Sequence, residues 1–207
     1  MTAASRAAHD RTAAEYDDAA ASAGWFPEAL FGLCFDRVRP GERVLALGIG
    51  TGLCAAPFAA RGLTVWGVDE SAGMLAVCRE QGIAERLVEH DLAVRPWPFD
   101  DGAVTHVLAS GVAHFLRDLG GFVAESRRVM SDDGVLAITT RLPSASPHDA
   151  PDVEETVAEG VPIYGHSPRH LAAVLGVNGL VAVKQLDVLL GEDGARDTYR
   201  LTVAASG

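Results

Sequence analysis

Three glycines at alternate positions, Gly48, Gly50 and Gly52, follow directly on a short apolar run, Arg43 to Leu47, and precede a segment of helical character, Leu53 to Arg61. Glycine between a strand and a helix tolerates unusual backbone angles and lets a ligand touch the main chain. The spacing narrows which ligand. A dinucleotide loop reads G-x-G-x-x-G, and Leu53 stands where its third glycine belongs. A triphosphate loop needs a lysine beside the glycines, and the single lysine of the chain is Lys184. The loop Gly48-Ile49-Gly50-Thr51-Gly52 suits a ligand whose adenosine and amino-acid portions pack on the backbone without a pyrophosphate. A tight turn that binds nothing is the alternative reading.

Two carboxylates fall at comparable places further on. Val68-Asp69 ends the second apolar run, and an acidic side chain there accepts from both hydroxyls of a ribose. Ser71 is close enough to cap the following helix in its place. Asp91 follows the third run, where a carboxylate accepts from an adenine amino group. His166 and His170 have i, i+4 spacing, but Pro168 lies between them and no cysteine is near, so no metal site is expected.

These residues need elements that bring them to one edge. Residues 5–24 read as one or two polar helices, and Phe31, Phe35 and Val38 as another before the Arg39-Pro40-Gly41 turn. Strands are expected at Arg43–Leu47, Leu63–Val68, Arg86–His90, Val104–Ala109 and Val135–Thr140, with helices at Leu53–Arg61, Ser71–Gln81 and Leu116–Met130. Alternation of this kind builds a mainly parallel sheet covered on both faces. Ligands then bind at the carboxyl ends of the strands.

After Arg141 the rhythm fails. The segment of about 142–165 holds four prolines and the acidic run Asp152 to Glu155, and reads either as a mobile lid or as a surface loop with a short helix. Ser167-Pro168 opens a helix that should stop at Gly176. Leu180–Leu190 and Thr198–Ala204 are two β-rich runs joined by Gly191-Glu192-Asp193-Gly194, too short a joint for a parallel crossover. The expected architecture is one α/β domain over 1–207. It is a Rossmann-like three-layer sandwich with a helical cap over about 1–40 and a seven-stranded, mostly parallel sheet that ends in an antiparallel hairpin.

The chain has 207 residues, 48% of them hydrophobic and 22% charged, which is ordinary globular composition. Its formal net charge of −11 argues against nucleic acid as a partner, because phosphate binding needs a basic face. Met1 to Asp10 has no apolar core of a secretory signal, and no stretch is long enough to span a membrane. Cys34, Cys54 and Cys78 are too scattered for a disulfide framework and read as buried free thiols, so the expected location is cytoplasmic. Both acidic runs, 152–155 and 192–193, read as solvated faces.

VLALGIGTG (44–52), GVDESAGML (67–75), EHDLAVRPWPFDDGAVTHVLASGVAHF (89–115) and RRVMSDDGVLAITT (127–140) resemble the successive motifs of class I methyltransferases that use S-adenosylmethionine (SAM). The likeness spans roughly residues 10 to 205. Within the class the chain is most similar to the small-molecule, quinone-biosynthesis-like branch and to the methyltransferase-like group of the Williams–Beuren region. Residues 9–17 resemble that branch's N-terminal helix, whose tyrosine, here Tyr16, closes over the cofactor. The resemblance implies that Gly48, Ile49, Gly50 and Gly52 line the methionine part and that Asp69 holds the ribose. It further implies that Glu70 and Met74 flank the adenine, that Asp91 and Leu92 hold its edge, and that Ser110 lies beside the sulfonium. Two positions depart from the pattern. Ala46 stands where the family has an acidic residue that meets the SAM amino group, and Val104-Thr105 stands where it has an aspartate.

Methyl transfer from a sulfonium is an in-line displacement, so the protein's work is mostly alignment, and a base is needed only if the acceptor must lose a proton. His114, just past the fourth strand, is the candidate for that role, with a packing role as the alternative. Trp25, Phe26, Tyr164 and His166 are candidates to line an acceptor pocket, again against plain surface or core roles. Ser110-Gly111-Val112-Ala113 differs from the [DN]-P-P-[YFW] pattern of enzymes that methylate base amino groups, which leaves a small organic acceptor. The expected product is S-adenosylhomocysteine (SAH), formed by a monomer or homodimer. The rival readings are a SAM-binding chain without catalysis, favoured by Ala46, and a NAD(P)-dependent oxidoreductase, which Leu53 opposes.

Overall fold

The computed structural model describes residues 3–144, 150–158, 160–190 and 197–207. Five strands carry the parallel part of the sheet: β1 (Arg43–Leu47), β2 (Thr64–Asp69), β3 (Arg86–Glu89), β4 (His106–Ala109) and β5 (Val135–Arg141). They lie in the order β3-β2-β1-β4-β5, every neighbouring pair parallel. The order in which strands are added reverses between β1 and β4, so their carboxyl ends flank a crevice.

Alternate residues of one strand enter different cores. Leu45 and Leu47 pack with Trp97, Phe122 and Leu136, while Val44 and Ala46 pack with Phe58, Leu75 and Val203. A strand buried on both faces reads as a continuous apolar run, which is why RVLAL was legible. The helices divide accordingly. Helices α3 (Glu28–Cys34), α4 (Ala56–Ala60) and α5 (Ala72–Gln81) cover one face. Helices α6 (Leu119–Val129) and α7 (Pro168–Val177) cover the other. This is the three-layer α/β sandwich expected. Helices α1 (Ala3–Thr12) and α2 (Tyr16–Ser22) precede it, joined by a 3₁₀ turn at Ala13–Glu15. Among the described residues no helix is long and apolar enough to cross a membrane.

Among the described residues the sheet has nine strands rather than seven. Four of them lie beyond β5. Strand β9 (Asp197–Ser206) runs antiparallel along β5 from Val135↔Ala205 to Arg141↔Tyr199, and β8 (Leu180–Leu190) pairs antiparallel with β9. The antiparallel ending is therefore as expected, and its joint 191–194 lies outside the described residues, as does the acidic pair 192–193.

The other two strands correct the reading of 142–165. Strands β6 (Val153–Ala158) and β7 (Val161–His166) form an antiparallel hairpin that turns at Gly160, with φ +81°. The hairpin joins the sheet through Arg141↔Gly165 at the end of β5. Proline is tolerated on such a ribbon because Pro162 lies near a strand start. The acidic run is ion-paired as well as wet. Asp152 meets Arg169 at 2.7 Å, Glu155 meets Arg117 at 3.3 Å, and Glu154 accepts from Ser144 Oγ at 3.1 Å.

Smaller differences have local causes. Helix α7 runs through Gly176 and ends before Gly179, where φ is +70°. Helix α6 starts at Leu119 because Asp118 caps it, accepting from Gly121 N–H at 2.9 Å, and a 3₁₀ turn occupies Ala113–Phe115. Thr105, one of the two residues in the family's aspartate position, accepts from Arg43 N–H at 3.3 Å and so fastens β1 to the start of β4.

Candidate active site

The glycine loop leaves β1 and is held against the end of β2. Ile49 N–H donates to Val68 O at 3.0 Å, and Gly50 N–H donates to Asp69 Oδ2 at 2.9 Å. Asp69 Oδ1 accepts from Ser71 N–H at 2.9 Å. The cap of α5 is Ser71, whose hydroxyl accepts from Met74 N–H, so Asp69 is free of that duty. Burial raises the Asp69 carboxyl above its usual range, and the two N–H donors oppose the shift.

The three loop glycines serve different ends. A Cβ on Gly50 (φ +56°) would meet nothing within 4 Å, so its bare backbone faces open space in the cavity wall. A Cβ on Gly52 (φ +97°) would come within 2.8 Å of Ile83 Cδ1 and 3.0 Å of Cys78 Sγ. Gly52 is therefore a close-packing residue against α5 and the segment after it, and it lines none of the cavities described below. Its expected place beside a ligand therefore rests on its two neighbours, Thr51 and Leu53, which line the second cavity.

A cleft of about 610 Å3, its open mouth included, lies at the carboxyl ends of β1, β2, β3 and β4. Gly48, Gly50 and Asp69 form one side of it, with Glu70 and Met74 beyond. Asp91 and Leu92 close the far end, and Ser110 the near one. Asp91 is oriented by its own turn, since Oδ1 accepts from Ala93 N–H at 2.9 Å. The segment behind it is anchored deeply. Trp97 is buried, its Nε1 donates to Leu92 O at 3.1 Å, and its N–H donates to Glu125 Oε2 at 2.8 Å.

A second cavity shares Gly48, Gly50 and Ser110 with the first and is also lined by Ala46, Ile49 and Cys54. Trp25 Nε1 donates to Cys54 Sγ at 3.1 Å on its wall. A third space, about 730 Å3 with its open mouth, lies on the other side of Gly111. Its walls include Trp25, His114, Phe115 and Tyr199. Tyr16 borders all three. Burial pushes its phenol up to about 12, so it stays neutral.

His114 lies in the third space, with its ring centroid 5.8 Å from Tyr199 and 4.2 Å from Phe115. Burial first, and the Arg141 charge second, push the imidazole down to about 4. Its Nδ1 has no hydrogen-bond partner among the described residues.

The remaining candidates separate. Phe26 is 63% exposed and borders a small neighbouring cleft with Trp25 and Ser110. Tyr164 borders an outer groove with Arg95, Arg117 and Leu116. His166 is fully buried, shares a hydrogen bond with Leu116 O at 3.0 Å, and stacks on His170 at 5.6 Å. It lines none of these spaces and supports the turn that carries His114.

Sequence reasoning passed over the residues that hold the N-terminal helices in place. Ser71 Oγ and Gly73 N–H donate to Asp10 Oδ1 at 2.6 and 3.0 Å, and Thr51 Oγ1 donates to Asp17 Oδ1 at 2.6 Å. Asp10 and Asp17 look like ordinary solvated acids in a polar helix. Their partners lie 61 and 34 residues away, and no local pattern announces them.

The fold is similar to that of class I SAM-dependent methyltransferases. Residues 45–138 match the family described as methyltransferase domain. The chain is 34% identical over 133 residues to a malonyl-[acyl-carrier protein] O-methyltransferase of Serratia marcescens, covering 64% of this chain and 51% of that one. It is 31% identical over 143 residues to human methyltransferase-like protein 27, covering 67% and 58%. Thus the chain spans about half the length of the curated relatives it matches. In fold it is similar to Burkholderia thailandensis 1,6-didemethyltoxoflavin-N1-methyltransferase, whose structure holds 1,6-didemethyltoxoflavin and SAH. That likeness has a TM-score of 0.74 at 18% identity and covers 97% of this chain and 86% of that one.

Proposed function

We propose that the protein transfers a methyl group from SAM to a small organic acceptor. One observation carries this reading. The bare backbone of Gly48 and Gly50, the Asp69 and Asp91 carboxylates and Ser110 line a single cavity. That cavity adjoins an aromatic chamber across Tyr16 and Gly111. The residues fit the donor. Gly50 leaves open space where a side chain would intrude, and Asp69, Glu70 and Asp91 suit a cationic ligand.

Bound SAM supplies an activated methyl group. The chain's residues do the rest by holding two reactants in line. Asp69 accepts from the ribose hydroxyls, and Asp91 and Leu92 meet the adenine edge. Tyr16 and Trp25 keep water from the junction of the two spaces. His114 is neutral at working pH, and we assign it the hydrogen bond that orients the acceptor's nucleophile.

Calorimetry with SAM, SAH and NAD tests the reading, and micromolar binding of SAM and SAH is expected. Tight NAD binding without SAM would overturn it. A second reading, SAM binding without catalysis, has one observation in its favour. Ala46 leaves the second cavity without a carboxylate among its described lining residues. Firm SAM binding with no SAH release across a broad acceptor panel would select it.

A further inference from the structure

The aromatic chamber contains an ion-pair arrangement that methyl transfer itself does not require. Asp197, the first residue of β9, lines the chamber. Its Oδ1 accepts from Arg141 Nη2 at 2.9 Å. Arg141 is buried at the end of β5, behind that wall. Its Nη1 donates to Thr156 Oγ1 at 3.1 Å and lies 3.7 Å from Glu154 Oε2. Two carboxylates therefore share one guanidinium, and the group is left with a net negative charge.

Arg141 is not among the described residues that line the chamber, although its charge is felt at His114 there, whereas the Asp197 side chain is 45% exposed. Among the described lining residues Asp197 is the only one with a fixed charge, and none is Lys or Arg. The facing surface is made of rings. Trp25 and His114 stand nearly perpendicular to Tyr199, at 6.1 and 5.8 Å between centroids. Flat walls set at right angles receive a planar ligand by both stacking and edge contacts.

We infer that the acceptor is an uncharged or basic aromatic compound and that Asp197 is the residue that selects it. The inference rests on the methyl-transfer reading above and names the substrate class of that site. Rings supply the contact area, and the carboxylate takes a hydrogen bond from a donor group on the ligand. An acceptor bearing a carboxylate or phosphate meets like charge, with no Lys or Arg among the described lining residues to offset it.

Calorimetric titration of the SAH-loaded protein with 2-naphthol and with 6-hydroxy-2-naphthoate tests this. The neutral compound is expected to bind about tenfold or more tightly than its carboxylate, a preference that Asp197→Asn reduces to about threefold or less. Asp197→Glu keeps the preference, and neither substitution changes SAH affinity. Equal or better binding of the naphthoate, a preference untouched by Asp197→Asn, or no binding of either compound overturns the inference. Failure of the unmodified protein to load SAH overturns the methyl-transfer reading instead, so the two are separable.

Discussion

The Thr51 hydroxyl donates to Asp17 Oδ1 at 2.6 Å, and this contact joins α2 to the glycine loop. Asp10 makes the matching contact to the start of α5, through Ser71 and Gly73. Those donors hold the Asp10 carboxyl below its usual value. Tyr16 lies between the two attachments in sequence and borders all three spaces of the site. The N-terminal helices are thus a roof fixed at two points, with the tyrosine beneath.

Removing one attachment should loosen that roof without unfolding the sheet. A hydrogen bond to a charged acceptor contributes about 1.5 kcal/mol or more, so Asp17→Ala is expected to weaken SAH binding by roughly tenfold. Calorimetry measures the affinity, and thermal melting checks that the core is intact. Unchanged affinity in both Asp10→Ala and Asp17→Ala would remove the roof from the binding site.

Gly50→Ala and Gly52→Ala should fail in different ways. Both glycines have positive φ, which costs an L-residue about 1–2 kcal/mol. At Gly52 the added methyl also strikes Ile83 and Cys78, so the dominant loss is stability, read as a fall in melting temperature. At Gly50 the methyl enters open space in the cavity wall, so the protein keeps most of its stability and loses SAH affinity. Equal losses of affinity with equal melting temperatures would contradict the division of labour between them.

The contrast between these glycines also shows what a sequence can convey. The G-x-G-x-G spacing, Asp69 and Asp91 were legible because each is set by a local geometry: a strand end, a tight turn and a fixed count of residues between them. The close packing of Gly52 was not legible, because the neighbour that a side chain would strike is Ile83, thirty-one residues away. The β6–β7 hairpin was hidden by Pro151 and Pro162 and by Glu154 and Glu155, whose charges are balanced by Arg141 and Arg117 from distant elements. Asp197 and Tyr199 lie on a strand that was foreseen, yet nothing in that run says that its first residues face the chamber. His166 was grouped with Tyr164 as a possible pocket residue, and nothing local announces that it ends β7 with its ring held by Leu116 and stacked on His170 from α7.

Acid should release the donor before it unfolds the protein. Burial raises the Asp69 carboxyl, so in the folded chain it takes up a proton at a higher pH than an ordinary aspartate. The sign for stability follows. A carboxyl raised in the folded state favours folding most below its unfolded pKa, and that contribution is lost as pH rises through the folded value. Ligand binding runs the other way, because the proposed contact of Asp69 with the ribose hydroxyls needs the ionised acceptor. SAH affinity is therefore expected to fall as pH drops through the raised Asp69 value while the fold holds. Burial raises Glu70 in the same cavity, so the profile alone does not identify the group. Asp69→Asn should flatten the profile and lower the affinity at neutral pH. A profile that is unchanged in shape would assign the titration to Glu70.

His114→Asn separates orientation of the acceptor from binding of the donor. The residue borders the chamber and not the donor cavity, so SAH affinity should change by less than about threefold, within the scatter of distant sites. Turnover should fall by about tenfold to a hundredfold, the cost of losing an orienting contact, whereas loss of a group that itself transfers the reacting proton costs about a hundredfold or more. Its depressed pKa adds a second readout. A histidine near 4 in the folded state and 6.5 when unfolded binds fewer protons folded than unfolded across that interval. Stability therefore falls as pH drops from 6.5 towards 4. Burial also lowers His166, so acid sensitivity should shrink in His114→Asn rather than vanish. Urea midpoints at pH 7 and pH 5 measure the difference. A substitution that leaves turnover intact but still blunts the acid sensitivity would make His114 a packing residue and leave the alignment to Tyr16, Trp25 and Tyr199.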